Sequence, residues 1–188
     1  TGRSPVGYWL YSIDKGYNWQ GPYGIPRMGT LGVAARNEYV VMDKNELFLT
    51  FTCPKKNNKE GRVFVSKLKN GGKEFEFLSF VGPELMGNNE YTCMPATYII
   101  QNGQVLILLR VAKNKDISNK SDDRVFTIEQ YLGSVNGNEW VFDKIVSDTG
   151  GNPPALLKLQ DGRLCLAYGY RKKPYGLRCR YSSDEGET

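Results

Sequence analysis

Apolar and polar residues alternate in short runs along this chain, and one pattern occurs three times. Each copy places a polar turn directly before a strand-like apolar stretch, and the copies are Asp43–Phe51, Asn102–Arg110 and Asp161–Gly169. Two of them contain Asn-Gly or Asp-Gly, a pair that favours a tight turn before a β-strand. The pattern therefore predicts a repeated sheet unit.

Each period of this repeat predicts about four strands. In the third period they are Ala96–Ile100, Val105–Val111, Val125–Tyr131 and Trp140–Val146. One antiparallel sheet of four strands every ~50 residues is typical of a β-propeller blade. The sequence thus predicts an all-β chain that forms a single partial propeller domain over residues 1–188, with about three to four blades. The predicted blades are 1–30 (partial), 31–83, 84–148 and 149–188 (partial), and we expect the remaining blades in a longer parent chain.

A turn motif of the form Ser-x-Asp-x-Gly marks the same place in successive periods. It is complete at Ser12, Asp14, Gly16 and Trp19, and it recurs at Ser182, Asp184 and Gly186. Weaker copies comprise Asn70, Gly72 and Phe75, and then Gly137 and Trp140. We expect the Ser and Asp side chains to bond turn amides, the Gly to adopt a conformation that strains other residues, and the aromatic ring to pack beneath. Asp14 and Asp184 are therefore predicted to be structural.

Composition narrows the chemistry that the chain can perform. It has no histidine, which excludes Ser-His-Asp and Cys-His catalysis and the common histidine metal sites within it. Its four cysteines show no Cys-x-x-Cys spacing, and nothing requires a metal or an organic cofactor. The net charge of +5 permits an acidic ligand, but no aromatic RNA-binding motif accompanies the lysines, so we expect no nucleic-acid partner. No apolar run approaches the ~18 residues of a membrane span.

These motifs together resemble those of the sialidase superfamily, within its BNR/Asp-box repeat group and close to bacterial exo-α-sialidase-like proteins. The resemblance rests on the turns above, on Met94–Thr97, and on four later stretches: Gly151–Leu157, Asp161–Leu164, Tyr168–Arg171 and Pro174–Arg178. It implies a six-bladed propeller when complete. It also implies hydrolysis of terminal acidic sugars of glycans, in which arginines hold the sugar carboxylate and a tyrosine activated by a glutamate attacks.

One window departs from that family pattern. Sialidases often have Glu-Pro, a strand, Asp-Gly and a second strand that ends in Arg, whereas this window reads Met94-Pro95, Asn102-Gly103 and Arg110. The resemblance thus assigns Arg110 to substrate binding and finds methionine in place of the activating glutamate. The Arg-Ile-Pro motif of the family is also absent, because Ile25-Pro26-Arg27 has another order.

The resemblance further implies where a site would lie. The turn motifs would occupy one face of the propeller, and the loops on the opposite face would form the pocket. The substrate-binding candidates there are Arg110, Arg171, Arg178 and Arg27, and the catalytic candidates are Glu90, Asp148, Tyr91 and Tyr175. Each has a plain alternative as a solvated charge or a packed ring.

Three functions stay open at this point. The first is a sialidase-like glycoside hydrolase, which Arg110 favours; the second is a non-catalytic propeller that binds a glycan or a protein, which Met94 favours. The third is a scaffold whose loops bind nothing small, since a fold by itself does not fix a function. We also expect the 188-residue chain alone to self-associate through unpaired strand edges and to be inactive.

Overall fold

The fold is all-β. A computed structural model describes residues 4–59, 61–100, 103–115, 124–148 and 152–188. Within these ranges the chain forms β1 (Tyr8–Tyr11), β2 (Gln20–Gly24), β3 (Ala34–Val41), β4 (Leu47–Pro54), β5 (Gly61–Lys69), β6 (Glu74–Phe80), β7 (Tyr91–Ile99), β8 (Gln104–Asn114), β9 (Arg124–Ser134), β10 (Val141–Ser147), β11 (Ala155–Lys158), β12 (Leu164–Tyr170) and β13 (Gly176–Ser182). The same ranges contain no α-helix, and no helix in them is long and apolar enough to cross a membrane.

The strands form four antiparallel sheets that follow one another along the chain. Sheet 1 contains β1 and β2, sheet 2 contains β3 to β6, sheet 3 contains β7 to β10, and sheet 4 contains β11 to β13. Neighbours in sequence are neighbours in each sheet, as in propeller blades. The prediction of an all-β chain of antiparallel sheets is therefore confirmed, whereas the blade boundaries and the blade number of a complete ring stay predictions.

The first strands of sheets 2, 3 and 4 lie next to one another. Strand β7 contacts β3 on one side and β11 on the other, and each of the three pairs within its own sheet with a single neighbour. We call β3, β7 and β11 the inner strands. In a propeller the strands in this position surround the central axis, so their side chains are the natural lining of a site there.

Apolar side chains fill the spaces between the sheets. Side chains of a strand point alternately to its two faces, so one strand can contribute to two cores. Along β8, Ile107 and Leu109 pack with Val65 of sheet 2, whereas Leu106 and Leu108 pack with Leu166 of sheet 4. All of these side chains are buried, which explains why β8 is apolar throughout its centre.

The two complete Ser-x-Asp-x-Gly turns are closed by their own side chains. The Ser12 hydroxyl accepts from Gly16 N at 2.8 Å and donates to Asp14 Oδ1 at 2.7 Å, and Asp14 Oδ1 also accepts from Asn18 N at 2.9 Å. The backbone and side-chain bonds from Asn18, with the Ser12 hydroxyl, lower the pKa of Asp14 to about 2. The second turn repeats these bonds between Gly186 and Ser182 at 2.7 Å and between Thr188 N and Asp184 Oδ1 at 3.0 Å.

The aromatic residues of the turns do not share one environment. Trp19 is 61% exposed, so the expected burial of this ring beneath its turn is not found. The Trp140 indole instead donates to Ser79 Oγ of the preceding sheet at 2.9 Å. The Phe75 ring lies 6.4 Å from the Trp9 ring, across the gap between sheets 1 and 2. In that same turn Asn70 bonds the Glu74 carboxylate at 2.8 Å.

Three of the turn glycines lie directly against the sheet before them. The pairs are Gly72 with Trp9, Gly137 with Leu78, and Gly186 with Leu106. A Cβ on these glycines would lie 2.7 Å, 2.7 Å and 2.5 Å from the nearest atom of the partner, closer than real Cβ contacts. All three glycines also have positive φ. The glycine is thus required twice, by the backbone conformation and by the close approach of two sheets.

Candidate functional site

The connections between strands gather at two opposite ends of the sheets, because the strands alternate in direction. Asp14 lies between β1 and β2, Gly137 lies between β9 and β10, and Asp184 follows β13. These turns occupy one end, which we call the turn end. The connections 25–33, 55–59, 81–90 and 171–175 occupy the other, which we call the loop end. All eight substrate-binding and catalytic candidates fall at or near the loop end.

Arg110 lies near the end of β8 and is surrounded by aromatic rings. Its guanidinium carbon is 5.4 Å from the centre of the Phe126 ring and 5.7 Å from that of Tyr91. Nη1 also donates to the Met94 sulfur at 3.9 Å. A guanidinium within about 6 Å of a ring face is attracted by the ring quadrupole, so these rings orient Arg110. Arg124 contacts the same Phe126 ring at 5.4 Å, which gives this end of sheet 3 a second positive charge.

Met94 occupies an irregular point of the inner strand β7. Its φ is +52°, and the pairing of β7 with β8 shifts between Cys93 and Ala96. Its backbone N donates to Thr52 Oγ1 of sheet 2 at 3.4 Å. A β-bulge of this kind turns a side chain away from its regular direction, and bulges are common beside active sites. Here the bulge brings the Met94 side chain to Arg110.

Glu90, a catalytic candidate from the sequence, serves to hold two loops together. Its Oε2 accepts from Gly87 N at 2.9 Å and its Oε1 accepts from Asn114 N at 3.0 Å. The buried Lys55 ammonium holds the same segment from below, since it donates to the carbonyls of Leu85 at 2.7 Å and Gly87 at 3.1 Å. Segment 81–90 is therefore a fixed rim of the loop end, and both carboxylate oxygens of Glu90 are already engaged.

The remaining candidates are spread over the loop end. Arg178 on β13 stacks on the Tyr170 ring at 4.5 Å, in sheet 4. Arg171 and Tyr175 lie in the exposed connection between β12 and β13, and Tyr175 is 70% exposed. Asp148 is exposed just after β10, and Arg27 is exposed in the segment before β3. Among the described candidates, Arg110, Tyr91, Glu90 and Asp148 lie on or beside sheet 3, whereas the others belong to other parts of the loop end.

A carboxyl group that the sequence analysis did not select lies on an inner strand. Glu38 is half-buried on β3, directly opposite the fully buried Thr50 of β4. Burial raises the pKa of Glu38 above its usual value, and a bond from the Tyr39 backbone amide offsets part of that increase. A carboxyl on a propeller's inner wall with a raised pKa is a candidate for proton transfer. Its position on the first strand of a four-strand period was the signal that could have identified it.

A second acidic group missed by the sequence analysis is buried between sheets 2 and 3. Glu129 is 2% exposed, and its carboxylate accepts from Lys113 Nζ at 2.6 Å, Tyr131 OH at 3.1 Å and Thr127 Oγ1 at 3.3 Å. Burial, followed by the charge of Glu129, raises the pKa of Tyr131. The Glu129 carboxylate thus has three partners within this cluster, so its arrangement supports packing of the sheets.

The described residues contain no group of three or more His, Cys, Asp or Glu side chains that could hold a metal ion. The candidates that the structure describes at the loop end offer carboxyl, guanidinium and phenol groups. Such groups bind hydroxyl-rich or polar ligands through hydrogen bonds, while ring faces such as Tyr91 and Phe126 offer apolar contact.

No protein-family model and no curated protein matches the sequence. Solved structures do match the fold. A protein of unknown function from Dyadobacter fermentans aligns with a TM-score of 0.75 and 19% identity over 96% of this chain and 49% of its own. An α-L-arabinanase from Penicillium chrysogenum in complex with arabinobiose gives 0.71 and 16% over 96% of this chain and 56% of its own. The GH93 α-L-arabinofuranosidase of Fusarium graminearum in complex with arabinobiose gives 0.69 and 13%, with 96% and 55% covered.

These matches establish the fold and correct the expected family. The chain spans about half the length of the structures that it matches. The glycoside hydrolases among them act on arabinose-containing sugars, so the assignment to the sialidase superfamily and its BNR/Asp-box group is wrong. The physical reason for this error is that the Ser-x-Asp-x-Gly motif specifies only the hydrogen bonds between its side chains and the turn amides. Any hairpin with that geometry can contain the motif, whatever its family.

Proposed function

We propose that this chain forms part of a glycoside hydrolase that binds its glycan at the loop end, beside the inner strands. The observation that carries the proposal is the fold, which is shared over 96% of the chain with an arabinanase and an arabinofuranosidase. Ligands of open β-folds of this kind bind where loops and inner strands meet in a concave surface. The loop end supplies that surface here.

The proposed substrate is an arabinose-containing glycan. Both enzymes named above were solved with arabinobiose, a neutral disaccharide whose recognition requires hydrogen bonds to hydroxyl groups. The cluster around Arg110 suits such a ligand, because the rings of Tyr91 and Phe126 offer apolar faces and the guanidinium offers several donors. Segment 81–90, fixed by Lys55 and Glu90, supplies a rim that does not have to be ordered on binding.

A second candidate is a propeller that binds a glycan without hydrolysing it. The observation in its favour is the state of Glu90, whose two oxygens are both bonded to backbone amides, together with methionine at position 94. A hydrolase of this class normally uses two acidic groups. A loop end with arginines and rings but without a second acidic group placed for catalysis would bind sugar and leave it intact.

The test uses the complete natural polypeptide and a panel of substrates: arabinan, arabinobiose, and aryl glycosides of arabinose, xylose and galactose. We expect release of free arabinose. Arg110→Ala should lower kcat/KM for arabinobiose by about 10- to 100-fold, which corresponds to the loss of one charged hydrogen bond. The control is Arg163→Ala at the turn end, where the guanidinium pairs with Asp161 at 2.6 Å, and it should leave turnover unchanged.

The outcomes separate the two candidates. Saturable arabinobiose binding in calorimetry without turnover of any substrate would favour the non-catalytic propeller. Absence of both binding and turnover would refute both candidates. Equal losses in Arg110→Ala and Arg163→Ala would show that the loop end is not where the sugar binds.

A further inference from the structure

Glu38 holds the only carboxyl group on the three inner strands. Strands β7 and β11 contain no Asp or Glu at all, and β3 contains only Glu38. Thr50, directly opposite on β4, contacts Thr97 of β7 through hydroxyl oxygens 3.1 Å apart. Residues that pair directly across two strands share one face of the sheet. Glu38 therefore lies on the face of sheet 2 that meets the inner strand of sheet 3.

The carboxyl group of Glu38 has no charged partner among the residues that the structure describes. Thr50 Oγ1 donates at 3.2 Å to the backbone carbonyl of Glu38 and not to its side-chain carboxyl group. The titratable side chains of the strands packed against β3 are Cys53 on β4 and Tyr91, Cys93 and Tyr98 on β7. None of these is charged at neutral pH in its ordinary state. A half-buried carboxyl in such surroundings is held toward its neutral form.

Other acidic groups of the described chain are used differently. Glu84 pairs with Arg62 at 3.3 Å, Glu46 pairs with Lys67 at 2.8 Å, and Glu129 accepts three bonds inside a core. Glu90 binds two backbone amides. An acid that transfers protons must keep its carboxyl available to the substrate and must be neutral at working pH. Glu38 has no charged partner among the described residues, and only the Tyr39 backbone amide bonds its carboxylate. Burial raises the pKa of Glu38, which favours the form that carries the proton.

We propose that Glu38 is the proton donor of the glycoside hydrolase, an inference that rests on the proposed function. In the form that carries a proton, the Glu38 carboxyl gives that proton to the glycosidic oxygen while the bond between that oxygen and the anomeric carbon breaks. Water adds its hydroxyl to the anomeric carbon, and the proton that the water releases restores the acid form of Glu38 through solvent. One glycosidic bond and one water are consumed, and two hydroxyl-bearing sugars are formed.

The experiment compares Glu38→Gln with the wild type in the complete natural polypeptide, on two substrates of different leaving group. Arabinobiose needs a proton on its departing oxygen, whereas a dinitrophenyl arabinofuranoside departs as a stable anion without one. We expect kcat for arabinobiose to fall by about 100- to 10,000-fold and kcat for the dinitrophenyl glycoside to stay within a few-fold. The limb of the pH–rate profile at high pH, where the donor loses its proton, should disappear in Glu38→Gln.

Glu139→Gln serves as the matched control, because Glu139 is an exposed carboxyl in the segment before β10, and both substrates should be turned over normally. Equal losses on the two substrates, or no loss on either, would overturn the role of Glu38 while the proposed function stands. A wild type that turns over neither substrate would overturn the proposed function itself. Melting curves of the two variants that coincide with the wild type exclude misfolding as the cause.

Discussion

Replacing Gly137 with alanine tests how one sheet is fixed to the sheet before it. The glycine has a φ of +66°, and an added Cβ would lie 2.7 Å from Leu78 Cβ and 3.2 Å from Val65 Cγ2. The turn is also tied in place, since Ser79 Oγ donates to the Gly137 carbonyl and accepts from the Trp140 indole. Neither neighbour can move easily, because one contact atom is a Cβ and Val65 is fully buried.

Two costs add up in this variant. A side chain in the left-handed backbone region costs about 1–2 kcal/mol. Overpacking of a filled core costs about 1–3 kcal/mol more. We therefore expect Gly137→Ala to lower the free energy of unfolding by about 2–5 kcal/mol. The matched control is Gly162→Ala, with a φ of +91° and no atom within 4 Å of an added Cβ, which should show only the first cost.

Urea unfolding followed by tryptophan fluorescence measures both variants under one set of conditions. The informative quantity is the difference between them, because the backbone strain is common to both. A difference of about 1–3 kcal/mol is expected from the clash alone. If the two variants lose the same free energy of unfolding, the close approach of the turn to sheet 2 contributes nothing and the reasoning is refuted.

Three further predictions concern ionisation and local order. Bonds from Asn18 and Ser12 lower the pKa of Asp14 from 3.8 to about 2, so its carboxylate stabilises the fold above the unfolded pKa, and this contribution is lost as the pH falls toward about 2. The urea midpoint of Asp14→Asn should therefore vary less with pH over that window than the midpoint of the wild type, and an equal pH dependence of the two midpoints would contradict the prediction. Cys179 is exposed, whereas Cys53 is 2% exposed and burial raises its pKa to about 12. An aromatic disulfide should therefore label Cys179 first and Cys53 only on unfolding, and rapid labelling that persists in Cys179→Ser would contradict this order. Glu90→Ala removes the acceptor for Gly87 N and Asn114 N, so proteolysis within segment 81–90 should accelerate at least about tenfold. Glu139→Ala is the control, and equal rates of proteolysis in the two variants would argue that Glu90 does not hold this segment in place.

The strands of this chain could be predicted because their signals are local. The sequence predicts Val105–Val111, and the structure has Gln104–Asn114, which contains the predicted strand and extends beyond it at both ends. The first strand of the same sheet was placed less well, at Ala96–Ile100 against the observed Tyr91–Ile99. The difference lies at Pro95, which reads as the end of a strand because it has no N–H to donate. A β-bulge with positive φ at the preceding residue accommodates the proline, and the strand continues through it.

The site could be predicted only in part, because the state of a carboxyl depends on its distant neighbours. Glu90 resembles a free loop acid in the sequence, yet one of its partners is the amide of Asn114, which lies 24 positions away. Glu38 resembles an ordinary polar position of a strand, and its significance appears only when β3 is seen to lie beside β7. Arg110 was selected by its place at the end of an apolar strand, whereas the rings that orient it come from two other strands.

The turn motif illustrates how far a local sequence signal reaches. Its residues specify a set of hydrogen bonds that close within seven positions, from Ser12 to Asn18 and again from Ser182 to Thr188. Those bonds fix a hairpin and, through its glycine, the approach of one sheet to the next, which is why the motif predicts stacked antiparallel sheets. None of them reaches Arg110 and Tyr91 near the loop end, or Glu38 in the middle of β3. The residues that close the turn are therefore distinct from those proposed for the chemistry, and the turn by itself fixes neither the substrate nor the function.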